Sequence, residues 1–301
     1  LPPDWVSFMS LNNLLTYLKK SQHIGALTGI TRGIEKESLR INSQGYLAST
    51  PHPKSLGAAL THPSITTDFS EALLEFITAP SSSIDHVLNE LEEIHRFTYQ
   101  QLDNELLWVS SMPCQLRSDN EIPIGNYGIS NIGTMKKVYR LGLGNRYGRA
   151  MQTIAGIHYN FSVPDNLWQL LQENKQNKQS LQAFKSAGYL ALIRNFRRYS
   201  WLLIYLLGAA PAVCKSFIAG RTHRLEPFGI DTHSLYTHYA TSLRMGDLGY
   251  QSEAQSSLQI CYNSLEQYLS SLRKALYQPY AAYDKIGLKD QHGNYKQLNT
   301  H

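Results

Sequence analysis

From Gly29 to Ile41 the chain reads GITRGIEKESLRI, and it alternates. Alternation at period two marks a β-strand whose faces meet different surroundings. Thr31, Gly33, Glu35, Glu37, Leu39 and Ile41 fall on one face, and Ile30, Arg32, Ile34, Lys36, Ser38 and Arg40 on the other. Glu35 and Glu37 therefore point the same way, while the cations next to them in sequence point the opposite way. At a rise of ~3.3 Å per residue the two glutamate stems stand roughly 7 Å apart. At an effective dielectric of about 20 their repulsion is about 2 kcal/mol. Lys36 is poorly placed to relieve it, because the pleat turns it away. Two arrangements can. One is a solvated face with cross-strand Arg or Lys partners; the other is a divalent cation held by oxygen ligands.

A second acidic run, TDFSEALLEF from Thr67 to Phe76, bears on that choice. Asp68 closes an apolar-flanked strand, Ile65–Asp68, and Glu75 lies within another, Leu73–Thr78. Carboxylates among apolar neighbours on separate strands favour a hard-cation site over solvated surface. Met151 to Ser162 reads as a third informative strand. Gln152, Ile154, Gly156, His158, Asn160 and Ser162 share one face, and Met151, Ala155, Ile157, Tyr159 and Phe161 share the other. The second face is expected to be core. The first is polar and holds a glycine, which suits close approach of a ligand. A strand histidine is commonly a hydrogen-bonded structural residue, but the Gln and Asn beside His158 favour a functional role. In YATSLRMGDLGY, Tyr239 to Tyr250, Arg244 stands beside a Gly-rich turn. It can grip a carboxylate bidentately, or it can pair with Asp247.

Composition excludes more than it assigns. The 301 residues are 42% hydrophobic and 17% charged, an ordinary globular balance for one or two domains. The net charge of +5 is spread without a polybasic run, which argues against nucleic acid and suits an anionic small substrate. Cys114, Cys214 and Cys261 are few, scattered and without CxxC spacing, which argues against a disulfide framework or a zinc site and for a reducing compartment. The most apolar run, Trp201 to Cys214, is shorter than the ~20 residues a membrane span needs. No signal peptide, P-loop or GxGxxG is visible. The first residue is Leu1 rather than Met, consistent with a trimmed start.

Elsewhere the periodicity predicts a packing helix through Leu11 and Leu18, and a hairpin over Asn42–Ala48. A short helix is expected over Leu56–Leu60, and an amphipathic helix from Ile84 to Leu102 capped by Ser82 with Asp85. Glu105–Val109 reads as a strand, Ser118–Gly128 as a loop, and Met135–Leu143 as a helix. Ser180–Leu207 reads as a long, largely buried helix, Thr222–Ser234 as a loop, and Leu265–Leu276 as a helix capped by Asn263 or Ser264.

The runs GIEKESLRI, LGAALTHPSITTDFSEALLEFIT, YRLGLGNRYGRAMQTIAGIHYNFS and YATSLRMGDLGY together resemble glutamate–cysteine ligase (γ-glutamylcysteine synthetase) of the proteobacterial type. The resemblance covers nearly the whole chain. It implies an α+β, glutamine-synthetase-like fold: a curved, mainly antiparallel sheet forming a funnel, backed by helices. It also implies the first step of glutathione synthesis in the cytoplasm, in which ATP phosphorylates the γ-carboxylate of glutamate and the amine of cysteine displaces phosphate. Mg²⁺ is the implied metal, with Mn²⁺ the better match to a histidine ligand. By the same resemblance Glu35, Glu37, Asp68, Glu75 and His158 are metal ligands. Phe69, Tyr139, Leu143, Gln152, Arg244 and Tyr250 surround cysteine, with Arg244 on a carboxylate and Phe69 and Leu143 on the thiol side. Arg140 and Asn160 make further polar contacts to substrate. No residue stands out as a general base.

Members of that family are considerably longer. On this resemblance residues 1–301 are the N-terminal portion of a single catalytic domain. The portion beyond them carries another metal-binding Glu and residues that contact ATP. The chain is then expected to hold one wall of the funnel, to bind ATP poorly and to turn over little. A catalytically inactive metal- or amino-acid-binding fragment and a related ligase with another amine acceptor are the competing readings.

Overall fold

The structure, a computed structural model, describes residues 11–113, 115–249 and 258–300. Two short helices, α1 (Leu11–Leu18) and α2 (Ser21–Ile24), precede β1 (Thr31–Asn42). Strands β2 (Ile65–Thr67) and β3 (Leu73–Ile77) lead into α3 (Ile84–Gln101) and β4 (Glu105–Leu107). Then come α4 (Asn131–Tyr147), β5 (Ile157–Ser162), α5 (Asp165–Asn174) and α6 (Leu181–Leu207). A small sheet of β6 (Ala212–Cys214), β7 (Glu226–Pro227) and β8 (Ser234–Tyr236) follows, and α7 (Leu265–Tyr277) and α8 (Ala281–Ile286) complete the order.

β1 organises the larger sheet, whose pairings are all antiparallel. Its residues 35–39 pair with β3, which pairs onward with β2. Its first half pairs with β5 and its last residues with β4. The sheet is open, and the fold is α+β, as the motifs imply. The period-two pattern divides what β1 touches. Leu39 and Ile41 continue the face of Glu35 and Glu37 into a core with Phe69, Leu73, Met112, Phe217 and Leu235. On the opposite face Leu74 and Phe76 of β3 pack with Ile65, Ile94, Leu102 and Leu107 against α3.

Arg40 also lies on that opposite face, only 1% exposed. Its guanidinium pairs with Glu105 at 2.5 Å and donates to Thr50 Oγ1 and to the carbonyls of Thr50, Pro51 and Glu71. One buried cation thus ties the hairpin, the β2–β3 turn and β4 to the central strand. The hairpin turns at Gly45, whose φ of +83° suits glycine.

Several expectations need correction. The cap of α3 is Ser83, which accepts from the His86 N–H, one residue later than the Ser82–Asp85 reading. The short helix expected over Leu56–Leu60 is a 3₁₀ turn at Lys54–Leu56, and β7 falls inside the expected Thr222–Ser234 loop. Residues 150–153 form a 3₁₀ turn, so the third informative strand begins only at Ile157. Its apolar face is not core among the described residues: Ile157, Tyr159 and Phe161 are all exposed. α6 has the expected length but buries only Leu190. Apolar residues around most of a helix's circumference read as burial, but among the described residues Trp168 of α5 covers only the stretch around Phe184 and Tyr189, and Phe196, Trp201, Leu203 and Leu206 are exposed. α1 likewise buries no residue. Among the described residues no helix is long and apolar enough to cross a membrane. Cys114 lies outside the described residues.

Arg40→Ala is expected to lower unfolding stability by about 3–5 kcal/mol, because it strands a carboxylate and several carbonyls in the interior. Urea unfolding followed by circular dichroism checks this. Glu105→Gln, at the rim of the same network, is expected to cost less.

Candidate active site

Register builds the site. Glu37 of β1 stands directly across from Glu75 of β3, and Glu35 stands across from His158 of β5. Opposed residues of an antiparallel pair project to the same face. Three strands therefore deliver Glu35, Glu37, Glu75, His158 and Asn160 to one surface. Ligand atoms of Glu35, Glu75 and His158 come within 4.8 Å of one another. The Glu35 carboxylate accepts from Asn160 Nδ2 at 3.0 Å through one oxygen and meets His158 Nδ1 at 3.0 Å through the other. His158 Nε2 lies 3.8 Å from Glu37 Oε1. The Gly156 N–H donates to Glu37 Oε2 at 2.6 Å.

Asp68 enters from the end of β2 and is held by a clamp that sequence reasoning missed. The Tyr127 hydroxyl donates to the Thr67 carbonyl at 2.8 Å, and Arg140 Nε donates to the Asp68 carbonyl. Arg140 lies over the Tyr127 ring, 4.5 Å from its centroid, and also donates to Thr67 and Lys136 carbonyls. Gly133 allows this: a Cβ there would lie 2.4 Å from the Tyr127 carbonyl oxygen. Tyr127 sits in a loop between two glycines, and no periodicity points to it.

Asp68 and His158 also border a cleft of about 480 Å³, with Glu37, Phe69, Tyr139, Arg140, Leu143, Met151, Gln152, Ile154 and Arg244. It therefore gathers most of the residues expected around an amino-acid substrate. Gln152 reaches it from the 3₁₀ turn rather than from the strand. Its Nε2 is buried and makes no hydrogen bond among the described residues. Arg244 donates from Nη1 to Ser111 Oγ at 3.2 Å and to the Ala155 carbonyl at 3.0 Å. Among the described residues it makes no ion pair with Asp247. Asn160, expected on substrate, donates from Nδ2 to Glu35. Tyr250 lies outside the described residues.

The electrostatics are those of crowded carboxylates. Burial, and then the charges of Asp68, Glu37 and Glu35, push Glu75 up to about 7. Burial raises Glu37, helped by Asp68, although the Gly156 N–H opposes it. Burial also raises Asp68, against the pull of Arg140. Glu35 goes the other way, lowered by its hydrogen bonds from Asn160 and His158. Oxygen donors with one imidazole, in mutual repulsion, fit a hard or borderline divalent cation. All five expected ligands gather in this region. Glu35, Glu75 and His158 make one group, and Glu37 and Asp68 line the adjoining cleft.

The glutamate–cysteine ligase family model matches residues 15–301. The chain belongs to the glutamate–cysteine ligase family. It is 58% identical over 283 residues to the glutamate–cysteine ligase of Saccharophagus degradans, covering 94% of this chain and 53% of that protein. It is 54% identical over 290 residues to the Pseudomonas aeruginosa enzyme, covering 96% and 54%. Among solved structures, the Francisella tularensis glutamate–cysteine ligase in complex with AMP superposes with a TM-score of 0.82 at 42% identity, over 90% of this chain and 52% of that one. A bifunctional glutathione synthetase from Pasteurella multocida gives 0.73 at 29% identity, over 88% and 32%. The ligase fold expected from the motifs is thus present, and the chain spans about half the length of the curated relatives it matches.

A carboxyl whose pKa is raised by folding stabilises the folded chain below its unfolded value and loses that contribution as pH rises through the folded one. Without divalent metal, stability is therefore expected to fall as pH rises from 4.5 towards about 7, the interval over which the folded chain keeps a Glu75 proton that the unfolded chain has lost. Glu75→Gln is expected to flatten this loss, measured as urea midpoints at pH 5 and 8. Mn²⁺ affinity is expected to rise over the same interval, because the metal must displace the Glu75 proton.

Proposed function

We propose that this chain carries the metal- and cysteine-binding wall of a glutamate–cysteine ligase. The reaction is ATP-dependent ligation of the glutamate γ-carboxylate to the amine of cysteine through γ-glutamyl phosphate. The observation that carries it is the convergence of Glu35, Glu75 and His158 from three strands beside a cleft that Arg244 borders. A bound Mg²⁺ or Mn²⁺ ion supplies charge neutralisation at phosphate oxygens. The chain's own residues do the rest. Glu35, charged at neutral pH through Asn160 and His158, holds the imidazole by Nδ1 and favours the tautomer that leaves Nε2 a free lone pair. Glu37, Glu75 and Asp68 supply further carboxylate oxygens. Arg244 takes the carboxylate of cysteine, Phe69 and Leu143 the thiol side, and Gln152 offers its unpaired Nε2. Tyr139 and Tyr250 complete the surroundings in this reading. Arg140 and Asn160 orient Asp68 and Glu35 and offer further polar contacts to substrate. A thiol substrate places the chemistry in a reducing, cytoplasmic setting.

The half-length match favours a second reading. In it residues 1–301 are one part of the catalytic domain and are catalytically silent alone, with ATP held largely elsewhere. ADP release that requires glutamate and cysteine together is expected of the ligase. Mn²⁺ binding without ADP release is expected of the silent part. Replacing cysteine by other amino acids tests the acceptor. Release independent of cysteine, or no loss of Mn²⁺ binding in Glu75→Gln, contradicts the assignment. Arg244→Lys, which loses the bidentate fork, is expected to weaken cysteine binding by about ten- to a hundredfold, read by calorimetric titration.

A further inference from the structure

We propose that Gly156 is a positioning residue that seats the Arg244 guanidinium beside the carboxylate cluster and so selects an amine that bears a carboxylate. This rests on the reading of Arg244 as the contact for the cysteine carboxylate.

Gly156 stands just before β5, and its φ lies outside the left-handed region that favours glycine. The backbone there accepts any residue, and extended segments favour larger ones. The reason for glycine is space. A Cβ at this position would lie 3.2 Å from both Nη1 and Nη2 of Arg244 and 3.4 Å from His158 Nε2. The guanidinium would have to give by a few tenths of an ångström. Nη1 is tied to Ser111 Oγ and the Ala155 carbonyl, and the Ser111 hydroxyl is itself anchored on that carbonyl at 2.6 Å. Any such shift disturbs the two bonds that hold Nη1. Bidentate capture of a carboxylate depends on the plane of the fork, so a small rotation weakens it.

The backbone of Gly156 does a second job. Its N–H donates to Glu37 Oε2, and its carbonyl accepts from the Glu37 N–H at 2.9 Å. Alanine retains both groups. Gly156→Ala therefore separates the two jobs, disturbing Arg244 through the side-chain space while leaving the hold on Glu37.

The experiment compares cysteine with cysteamine, which lacks the carboxylate, by calorimetric titration of the 301-residue chain. Mn²⁺ binding is followed by electron paramagnetic resonance. The Arg244 Nε–H signal is followed by ¹⁵N NMR, assigned through its loss in Arg244→Lys. Wild type is expected to prefer cysteine. Gly156→Ala is expected to lose about tenfold in cysteine affinity, leave cysteamine unchanged, bind Mn²⁺ within about twofold of wild type, and shift the Arg244 signal. Retention of the wild-type preference overturns the proposal. Parallel loss of Mn²⁺ also overturns it, because Gly156 then acts through Glu37. If wild type binds neither amine, the ligase reading and the selectivity built on it both fail. The Arg244 signal still decides the seating: a shift in Gly156→Ala supports it and an unchanged signal refutes it. Should Gly156→Ala not fold, Ser111→Ala, which releases the same guanidinium from its tether, is expected to lower the cysteine preference in the same direction, and no change refutes the proposal.

Discussion

Like charges held together by strand register are the constraint on which the site depends. Glu37 and Glu75 face each other because β1 and β3 pair in one register, and Glu35 faces His158 because β1 and β5 pair in another. A slip of one residue in the β1–β3 pairing would turn Glu75 to the opposite face, and a slip in the β1–β5 pairing would turn His158 away from Glu35. The register is secured away from the charges, by Leu39, Ile41 and Leu73 in one core and Leu74 and Phe76 in the other. Apolar burial thus offsets the repulsion that the site stores.

The residues around the carboxylates divide the labour. Asn160 and His158 keep Glu35 ionised, whereas burial and neighbouring charge keep Glu75 protonated to near neutral pH. Two glutamates on adjacent strands therefore differ in charge at the same pH, which lessens the repulsion within the cluster. Arg140 with Tyr127, and Arg244 with Ser111, are fixed largely by backbone carbonyls and hydroxyls. Among the described residues they bring positive charge to the rim of the cluster without forming ion pairs with it.

The helices show where local reading stops. The length of α6 and the serine caps of α3, α4, α6 and α7 follow from residues close in sequence. What α6 packs against does not. Many of its apolar residues, Phe196, Trp201 and Leu206 among them, and the Ile157–Tyr159–Phe161 face of β5 are exposed among the described residues. Hydrophobicity records that a surface is suited to burial, and only tertiary structure records what buries it. The same limit hid Tyr127 and Ser111, single polar contacts in irregular segments that no period reveals.

Alternation along Thr31–Ile41 was enough to place Glu35 and Glu37 on one face, because the pleat is a local property of the backbone. Long motifs were enough to name the family. Sequence could not say that Glu35, Glu75 and His158 form the tight group while Glu37 and Asp68 turn to the cleft, nor that Asn160 serves Glu35. Those assignments depend on strand pairing between segments up to 125 residues apart and on side-chain reach across it. Both are decided by the packing of the whole sheet.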